Sequence, residues 1–583
     1  MMKPNSEQSY AAENDEIRLI EAGPGSGKTF TLLERFKRQS KNTSRGIAFI
    51  SYTNAAVDEV KGRCHGSPGL LSFPNYIGTF DSFIDSFLIT PYFCRTKRSQ
   101  KPTFFSDWSE VTAQTERVGG VLGIGISPQA FHKTSSGTVF NEQTASTSDK
   151  SYWTKLTEKQ KSQLEWRVNQ KITRQIDKGI FIADNARHYA YTVLCNNDST
   201  ILEIVQEVSL RFKELIVDEF QDFSNQDMEI IKFFEDNGIH VTVAADPDQG
   251  IYEFRGASAN AYLEYKKQIP ETARCELLQN HRSTIPICAA INAFRVVGST
   301  VTSTSSKTDE APVYVIQGKD QATRDFFIKL LAKQKILVHD SRVLAYRKSI
   351  AAKLAGQRRL NISSKSRIYT ILESVGILLK SKYPSERQKA INKCRPAVLE
   401  LIDFPNELPQ ETIKAKTEAI GLTDSLIGLV LLRIAANVPS MQNLQEVTEC
   451  IQSTILDTLQ HELKTLKFKS PKKVYPKPKK DFWNKWKEQV HSSSPLIGAS
   501  VHSVKGQEFD AVLLDLCISE DTLTQLCQSP SSVESTDELK VFYVGLSRAK
   551  KLLVVHCKNK NDESLLKTIL SKENVPAEYK ELK

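Results

Sequence analysis

The sequence lacks the marks of a membrane or secreted protein. None of its 583 residues belongs to an apolar run of about 18 residues, the minimum for a membrane-spanning helix. The first residues, MMKPNSEQSYAAENDE, are polar and acidic, whereas a secretory signal is basic and then apolar. We therefore expect a cytoplasmic protein that has no membrane among its partners.

Cysteine is sparse and scattered. Ten cysteines lie between Cys64 and Cys557, with no Cys-x-x-Cys pair and no close group of Cys and His. This spacing excludes the usual patterns of zinc ribbons and iron–sulfur clusters. We expect reduced thiols that are mostly buried.

Net positive charge is almost absent outside one segment. The formal net charge is +10, and residues 464–487, KTLKFKSPKKVYPKPKKDFWNKWK, carry +9 of it. Aromatic residues interleave with the lysines of this basic segment, a pattern that suits phosphate contacts together with base stacking on nucleic acid. The alternative is a solvated linker stiffened by proline.

Apolar runs rich in β-branched residues alternate with helix-like segments. Strands separated by helices predict parallel sheets with helices on both faces, and so an α/β fold. The runs form two sets, 1–95 with 205–285 and 286–355 with 495–583, and each set is expected to build one α/β domain. The runs begin at Gly46, Glu214, His240, Pro312, Arg342, Asp510 and Lys551.

Each predicted domain is interrupted by an insert. The first insert, 96–204, contains a Ser/Thr/Gly-rich stretch at 132–151 and then a helix-like segment that starts at Thr157. The second insert, 356–494, has a mainly helical pattern and ends in the basic segment. We expect two α/β domains, each with one mainly helical insert.

A glycine-rich loop, AGPGSGKT, follows the apolar stretch 17–20. Its glycines let successive backbone N–H groups turn towards a phosphate, Lys28 supplies a cation to the β- and γ-phosphates, and Thr29 is a ligand for Mg²⁺. The helix-like segment behind the loop adds its dipole to the anion site. The loop predicts a site for a nucleoside triphosphate and Mg²⁺ at Ala22, Gly23, Pro24, Gly25, Ser26, Gly27, Lys28 and Thr29.

A pair of carboxylates follows the apolar run 215–217. Asp218, at the strand end, is expected to hold Mg²⁺, and Glu219 to polarise the water that attacks the γ-phosphate. Alone, such a pair is more often a solvated strand end. Together with the glycine-rich loop it predicts a triphosphate hydrolase.

Six segments stand in a fixed order along the chain: AGPGSGKT (22–29), DEFQD (218–222), ADPDQGIYEFRGA (245–257), LLQNHRST (277–284), SVHSVKGQEFDAV (500–512) and FYVGLSRAKKLLVV (542–555). They resemble motifs I to VI of the UvrD/PcrA/Rep-like superfamily 1 DNA helicases. SYTNAAVDEVKGR (51–63) and IGTFDSF (77–83) are similar to the family's motifs Ia and Ib. The resemblance implies two RecA-like domains that clamp ATP between them and move along single-stranded DNA, typically 3′ to 5′.

The resemblance also implies roles around ATP. Gln8 matches the glutamine that reads adenine, Glu508 the residue that touches the ribose, and Gln249 the sensor of the γ-phosphate. Arg282 and Arg548 match arginines that reach the γ-phosphate from the second domain. His281 stands where the family usually has a tyrosine that stacks on adenine, so base preference is less secure. Arginines supplied by a second domain tie hydrolysis to cleft closure.

For DNA, the family stacks bases on aromatic residues, which here match Phe80, Tyr252 and Phe254. Each of these is by itself more often a core residue. Their place in ordered motifs favours DNA contact for Phe80 and Phe254. Asp81 replaces the usual histidine of motif Ib and puts an anion near the DNA path. The matching polar DNA contacts are Thr53, Asn54, Thr79 and His502.

Within the superfamily, the run IGTFDSFIDSFLITPYF and the compact inserts resemble the helicase-like subunits of Gabija anti-phage systems, which work beside an OLD-family nuclease. We expect such a nuclease to be a separate chain, because 28 residues follow Val555. The main hypothesis is an ATP-driven DNA translocase or helicase in anti-phage defence. The alternatives are an ATP- and DNA-sensing subunit that activates the nuclease with little unwinding, and a stand-alone DNA-repair helicase.

Overall fold

The computed structural model contains two compact units, Met1–Phe104 with Thr115–Gly356 and Leu496–Lys583, and Phe105–Gln114 with Gln357–Pro495. The domain boundaries given above remain a prediction. The structure describes residues 4–97, 101–105, 108, 111, 115–119, 125–134, 137–142, 144–251, 259–306, 310–357, 366–380, 384–404, 413–478, 483, 486, 496–528 and 536–582.

The first sheet of the first unit is parallel throughout. Successive side chains of a strand point to opposite faces, and here they enter two separate cores. Phe49 packs in one core, while its neighbours Ala48 and Ile50 pack in the other. The strand order is Arg274–Leu277, Leu19–Ala22, His240–Ala245, Phe212–Val217, Gly46–Ser51 and Tyr76–Thr79.

The second sheet of this unit repeats the arrangement. Leu513 faces one core and its neighbours Val512 and Leu514 face the other. The two parallel sheets confirm the predicted α/β fold of two RecA-like domains, and each of the seven predicted runs overlaps one of their strands. The strand order is Gly498–Ser500, Ser341–Ala345, Phe509–Asp515, Ala549–Cys557, Val313–Gly318 and Ala577–Leu582.

Helices connect the strands of both sheets. Those next to the first sheet are Ser6–Glu13, Lys28–Lys41, Asn54–Cys64, Phe80–Ile84, Thr90–Lys97, Asn225–Asp236 and Ala259–Gln268. Those next to the second sheet are Ile285–Asn292, Asp320–Lys333, Lys348–Leu354, Glu520–Gln528, Asp537–Leu546 and Lys560–Lys572. No helix in the described part of the chain combines the length and apolar character needed to cross a membrane.

The first insert is mainly helical in its described residues. Its helices are Thr147–Trp153, Glu158–Asp177, Ala183–Asn196 and Ser199–Arg211. The Ser/Thr/Gly-rich stretch contains part of an antiparallel hairpin, Phe131–Thr134 with Gly137–Phe140. Glu158–Asp177 lies where the sequence pattern predicts a helix.

The second unit is a helical bundle. Its helices are Arg367–Lys380, Pro384–Leu401, Ile413–Ala419, Asp424–Asn437, Leu444–Glu462 and Pro471–Val474. One short antiparallel pair, Ile402–Asp403 with Lys467–Phe468, holds the start of the basic segment against the bundle. The bundle has its own core, which includes Tyr475, Trp483 and Trp486.

Candidate functional site

The glycine-rich loop lies between the strand Leu19–Ala22 and the helix Lys28–Lys41. Gly25 and Gly27 have φ angles of 72° and 80°, in the left-handed region that favours glycine. A Cβ atom on Gly25 would lie 2.5 Å from Asn280 Oδ1 and 2.7 Å from Arg282 Cβ. The loop therefore packs directly against the segment that carries Arg282.

Lys28 and Thr29 begin the helix and meet the acidic pair behind the strand Phe212–Val217. Lys28 Nζ lies 2.9 Å from Glu219 Oε2 and 3.8 Å from Asp218 Oδ1. Thr29 Oγ1 donates to Asp218 Oδ2 at 2.8 Å. Hydroxyl and carboxylate oxygens are hard ligands of the kind that Mg²⁺ prefers, so the chemistry of Thr29 and Asp218 fits a magnesium site beside the loop.

The charges of this cluster are set by burial and by its neighbours. Burial lowers the pKa of Lys28, but Glu219 and Asp218 outweigh it and raise the pKa above its usual value. Burial raises the pKa of Asp218 to about 6 against the opposing effect of Lys28. Burial also acts on Glu219, but Lys28 and Lys505 hold its pKa at about 2. Glu219 is therefore an anion near neutral pH, as the polarisation of water requires.

Glu219 has an uncommon backbone conformation. Its φ is 57° and its ψ is 40°, the left-handed region in a residue with a side chain. Its N–H donates to Asp218 Oδ1 at 2.9 Å, and Gln221 Nε2 donates to its Oε2. Strained conformations of this kind persist where the surroundings hold them, often at functional sites.

Arg548, which precedes a strand of the second sheet, contacts Gln249, which follows a strand of the first sheet. Arg548 precedes the strand Ala549–Cys557 and donates from Nη2 to Gln249 Oε1 at 3.1 Å. Gln249 Nε2 in turn donates to Asp246 Oδ2 at 2.9 Å. Burial, with the nearby charge of Arg282, lowers the pKa of Arg548 to about 10. Arg282 Nε lies 2.7 Å from Glu508 Oε2, so both predicted arginines lie on the second sheet's side of the site.

The predicted adenine side lies on the other flank of the loop. Gln8 Nε2 donates to the Ser26 carbonyl at 2.9 Å, and the Asn5 N–H donates to Gln8 Oε1 at 3.0 Å. The exposed His281 also contacts Asn5, at 3.1 Å between Nε2 and Nδ2. The His281 N–H donates to the Gly25 carbonyl at 2.9 Å. Gln8 and His281 therefore lie together at the loop, and their roles towards the base stay predictions.

Sequence reasoning missed a lysine that joins the two sheets. Lys505 Nζ donates to Asp222 Oδ1, to Asp222 Oδ2 and to the Gln249 carbonyl, each at 2.6 Å. The lysine of KGQEF and the last acid of DEFQD were both inside recognised motifs. Their pairing has no local signature, because 283 residues separate them.

A second missed group surrounds Asp246. Arg295 Nη2 lies 3.6 Å from Asp246 Oδ1, and Arg295 Nε lies 3.4 Å from Asp248 Oδ2. Tyr543 Oη donates to Asp246 Oδ2 at 3.2 Å. All four side chains are buried, and no sequence pattern singled out Arg295. These contacts extend the polar interface on which Gln249 and Arg548 meet.

Three predicted DNA contacts stand at the carboxyl edge of the first sheet. Thr53 caps the helix Asn54–Cys64, where its Oγ1 accepts from the Ala56 N–H at 3.3 Å. Thr79 caps Phe80–Ile84 in the same way, accepting from the Ser82 N–H at 3.2 Å. Asn54 is exposed. Parallel strands bring these positions to one edge, and their contact with DNA stays a prediction.

The geometry does not support base stacking by Phe80. Its side chain is 1% exposed and packs on Phe223, with ring centroids 4.7 Å apart. The expectation that its place in motif Ib favours DNA contact is wrong, because Phe80 begins the short helix Phe80–Ile84 with its ring in the core.

Of the remaining predicted DNA-binding residues, the structure describes only His502. Tyr252 and Phe254 lie outside the described residues. His502 is half-buried against Tyr346, with ring centroids 5.6 Å apart, and burial lowers its pKa. The structure thus leaves His502 beside the second sheet, and its phosphate contact stays a prediction.

Asp81, the unusual acid of motif Ib, is neutralised within the first unit. Arg187 Nε lies 2.6 Å from Asp81 Oδ1, and Arg187 Nη2 donates to Asp81 Oδ2 at 3.0 Å. Arg187 also donates to Tyr52 Oη at 3.3 Å and belongs to the helix Ala183–Asn196 of the first insert. The anion expected near the DNA path is therefore balanced by a cation of the insert.

The basic segment does not present its described Trp and Tyr residues to solvent. Tyr475 is 0% exposed and Trp483 and Trp486 are each 2% exposed. Trp486 Nε1 donates to the Leu372 carbonyl at 3.1 Å, and Tyr475 Oη donates to the Ala397 carbonyl at 2.8 Å. Base stacking by these residues is therefore a wrong expectation, because the apolar core of the bundle takes up their rings.

The described lysines of this segment are exposed, unlike its Trp and Tyr residues. Within the described chain, six of them are exposed and have no carboxylate within ion-pair distance: Lys464, Lys467, Lys469, Lys472, Lys473 and Lys477. The buried Tyr475, Trp483 and Trp486 hold the described part of the segment on the bundle, which favours a basic surface over a solvated linker for those residues. We call these six residues the lysine surface.

The fold and the site define a two-domain P-loop nucleoside triphosphatase of the RecA-like class. Residues 2–270 match the UvrD/REP helicase N-terminal domain, and residues 483–560 match the UvrD-like helicase C-terminal domain. Together these matches cover more than half of the chain, which belongs to the UvrD-like helicase family.

Several curated proteins are similar to the chain. A probable DNA helicase II homologue of Mycoplasma capricolum is 35% identical over 111 residues, 19% of this chain and 15% of the relative. A probable DNA helicase II homologue of Mycoplasma genitalium is 23% identical over 606 residues, 92% of this chain and 82% of the relative. Gabija protein GajB of Bacillus cereus is 22% identical over 571 residues, 95% of each chain. The chain thus spans only a small part of some relatives and most of others.

Proposed function

We propose that this chain is an ATP-driven translocase on single-stranded DNA that acts in anti-phage defence beside a nuclease. The hydrogen bond from Arg548 to Gln249 is the observation that carries the enzymatic part of the proposal. It joins a predicted arginine finger of one domain to a predicted γ-phosphate sensor of the other. ATP and Mg²⁺ are the cofactors of this proposal.

Hydrolysis begins with the residues of the first domain. The N–H groups of the loop and Lys28 bind the phosphates, and Lys28 then leaves its ion pair with Glu219. Glu219, freed from this pair, polarises a water molecule for in-line attack on the γ-phosphate. Mg²⁺, held by Thr29 and Asp218, would offset negative charge on the phosphates.

The second domain supplies the remaining charge. Arg548 and Arg282 stabilise the negative charge that develops as the bond to the leaving phosphate breaks, and Gln249 reports on the γ-phosphate to both sheets. Closure of the cleft brings the two sets of residues together, whereas product release lets them part. Each cycle of hydrolysis is thereby coupled to a relative movement of the two domains, which drives the chain along DNA.

DNA would be held mainly through phosphates. Thr53, Asn54 and Thr79 offer polar groups at one edge of the first sheet, and the lysine surface offers exposed cations. With Phe80 and the described Trp and Tyr residues of the basic segment buried, the described residues favour backbone contacts, which are independent of sequence. We keep the direction 3′ to 5′ as part of the proposal, on the family resemblance alone.

The defence role rests on similarity to Gabija protein GajB across 95% of both chains. A cytoplasmic location and a separate nuclease subunit belong to the same proposal. A sensor that activates the nuclease with little unwinding is the second candidate. Asp81, which stands where motif Ib usually has a histidine, is the departure from the family pattern that favours this candidate, because a carboxylate paired with Arg187 offers no positive charge to a DNA phosphate.

The test is ATP hydrolysis by the purified chain with and without single-stranded DNA, with Lys28→Ala as the control. We expect strong stimulation by DNA and no turnover in Lys28→Ala. Strand displacement on duplexes with a 3′ or a 5′ tail then separates the candidates. Displacement from the 3′ tail supports the translocase, ATPase activity without displacement supports the sensor, and turnover by Lys28→Ala contradicts the site.

A further inference from the structure

Lys505 is a buried cation at the interface between the two sheets. Its ammonium group has three N–H donors, and three acceptors lie at 2.6 Å: both carboxylate oxygens of Asp222 and the carbonyl of Gln249. The Lys505 side chain is 4% exposed and that of Asp222 is 0% exposed. Charge-assisted hydrogen bonds at this distance in a dry environment are strong and specific in geometry.

The two acceptor residues belong to the elements that carry the predicted chemistry. Asp222 ends the turn Phe220–Asp222, and its N–H donates to the carbonyl of Glu219 at 3.0 Å. Gln249 ends the turn Pro247–Gln249. The positions of Glu219 and of the Gln249 side chain therefore depend on turns to which Lys505 is bound.

Lys505 itself comes from the second domain. It follows the turn Val501–Val504 and precedes the strand Phe509–Asp515 of the second sheet. A buried lysine without a partner carries a large desolvation cost, so the contacts with Asp222 and Gln249 are favourable only when the two sheets meet. The pair thus connects the meeting of the two domains with the turns Phe220–Asp222 and Pro247–Gln249.

We propose that Lys505 and Asp222 are a positioning pair that holds Glu219 and Gln249 in their hydrolytic arrangement only while the cleft is closed. The inference rests on the proposed function and adds to it a contact between two protein side chains. The pair sets the rate of hydrolysis, while the binding of ATP depends on the loop and on Lys28.

The experiment compares Lys505→Met, Asp222→Asn and the double variant in DNA-stimulated ATP hydrolysis. We expect kcat to fall by about 10- to 100-fold, as for small displacements of reacting groups, while the KM for ATP changes by less than about 3-fold. The double variant should be no slower than the slower single variant, because both changes break one contact.

The matched control is Lys551→Met, which removes a lysine of the same domain that pairs with Asp510 at 2.7 Å on the surface. Its kcat should stay within about 2-fold of the unchanged chain, as for most exposed ion pairs. Thermal unfolding of all variants separates positioning from support of the fold. If the pair only supports the fold, the variants should have a lower melting temperature, and their kcat should not fall selectively while KM stays the same.

Each outcome decides between the two proposals. If the unchanged chain does not hydrolyse ATP with DNA, the proposed function is wrong. If the unchanged chain is active and both single variants keep their kcat, the positioning pair is wrong and the function stands. Should Lys505→Met fail to fold, Asp222→Asn decides, since it keeps the shape and one acceptor oxygen. A folded Asp222→Asn with unchanged kcat overturns the pair.

Discussion

The guanidinium of Arg548 donates a hydrogen bond to the side-chain carbonyl of Gln249 across 3.1 Å, and both side chains are buried. Gln249 lies in the turn that follows a strand of the first sheet, and Arg548 lies just before a strand of the second sheet. Gln249 also binds Asp246, so the bond continues into a polar interface between the sheets. The two sheets are therefore joined by a buried chain of hydrogen bonds from Arg548 through Gln249 to Asp246.

Removal of the Arg548 guanidinium should abolish rapid hydrolysis. We expect Arg548→Met to lower the kcat of DNA-stimulated ATP turnover by about 10³-fold, the lower end of the effect of an arginine finger. Nucleotide binding should persist, because Lys28 and the loop are untouched. Steady-state kinetics and binding of a fluorescent ATP analogue measure the two effects. Arg367→Met, which removes an ion pair to Glu400 in the helical bundle, should leave both unchanged.

Substitutions of Phe80 test whether it is a core residue or a residue that stacks on DNA bases. Truncation to alanine leaves a cavity in the core of the first sheet, so Phe80→Ala should lower the free energy of unfolding by about 3 to 5 kcal/mol. Phe80→Leu refills most of the space and should keep both the stability and the affinity for single-stranded DNA. Chemical denaturation and fluorescence anisotropy with an oligonucleotide provide the measurements. A stable Phe80→Leu that loses DNA affinity would restore the stacking role.

The lysine surface makes DNA binding depend on salt. Each lysine that neutralises a phosphate releases counterions, which steepens the plot of log K against log salt by about 0.9 for duplex and about 0.7 for single-stranded DNA. Replacement of Lys472, Lys473 and Lys477 by glutamine should flatten that slope by about 0.7 to 0.9 for every lysine in contact. Binding isotherms at four salt concentrations measure it.

A matched triple variant tests whether the position of the charge matters. Lys329, Lys333 and Lys335 are exposed and lie in or just after the helix Asp320–Lys333 of the second α/β domain. Their replacement by glutamine removes the same charge from another surface and should leave the salt slope almost unchanged. Equal flattening by both triple variants would mean that only the net charge counts.

His556 gives the fold a defined pH dependence. Its Nδ1 lies 2.8 Å from Asp515 Oδ1 and its Nε2 lies 2.9 Å from the Gly318 carbonyl, so only the imidazolium donates to both. Burial acts to lower the pKa of His556, but these two acceptors outweigh it and raise the pKa above its usual value.

Since the pKa of His556 is higher in the folded than in the unfolded chain, its stabilising effect is complete below the unfolded pKa and is lost as pH rises through the folded pKa. The difference in free energy of unfolding between the unchanged chain and His556→Gln should be larger at about pH 6 than at about pH 9. Urea unfolding at both pH values measures it. A difference that grows with pH would contradict the charged imidazolium.

The fold was predictable to a large extent from local patterns. Runs such as 240–245 have the length and composition of buried parallel strands, and the structure confirms the two sheets that they predict. The glycine-rich loop was predictable because its chemistry depends on contiguous residues, and the family match supports that interpretation. The roles of Gln8, Arg282 and Glu508 towards ATP remain predictions.

Contacts between distant residues were not predictable. Lys505 and Asp222 stand in separate motifs, and only the packing of the two sheets brings them together. The same holds for Asp81, whose charge looked exposed until Arg187 of the insert was placed against it. Base stacking by Phe80 and by Tyr475, Trp483 and Trp486 was wrongly predicted for a related reason. Composition does not reveal which face of a segment is buried.

The sequence by itself determined the glycine-rich loop, the acidic pair behind the strand Phe212–Val217, and the alternation of strands and helices. These features depend on neighbours within a few residues, whose backbone geometry and polarity fix their structure. Only the tertiary structure decided that Phe80, Tyr475 and Trp486 are core residues and that Arg548, Lys505 and Gln249 share one buried interface. Burial and pairing are properties of the packed chain, because they depend on which distant surfaces exclude water together.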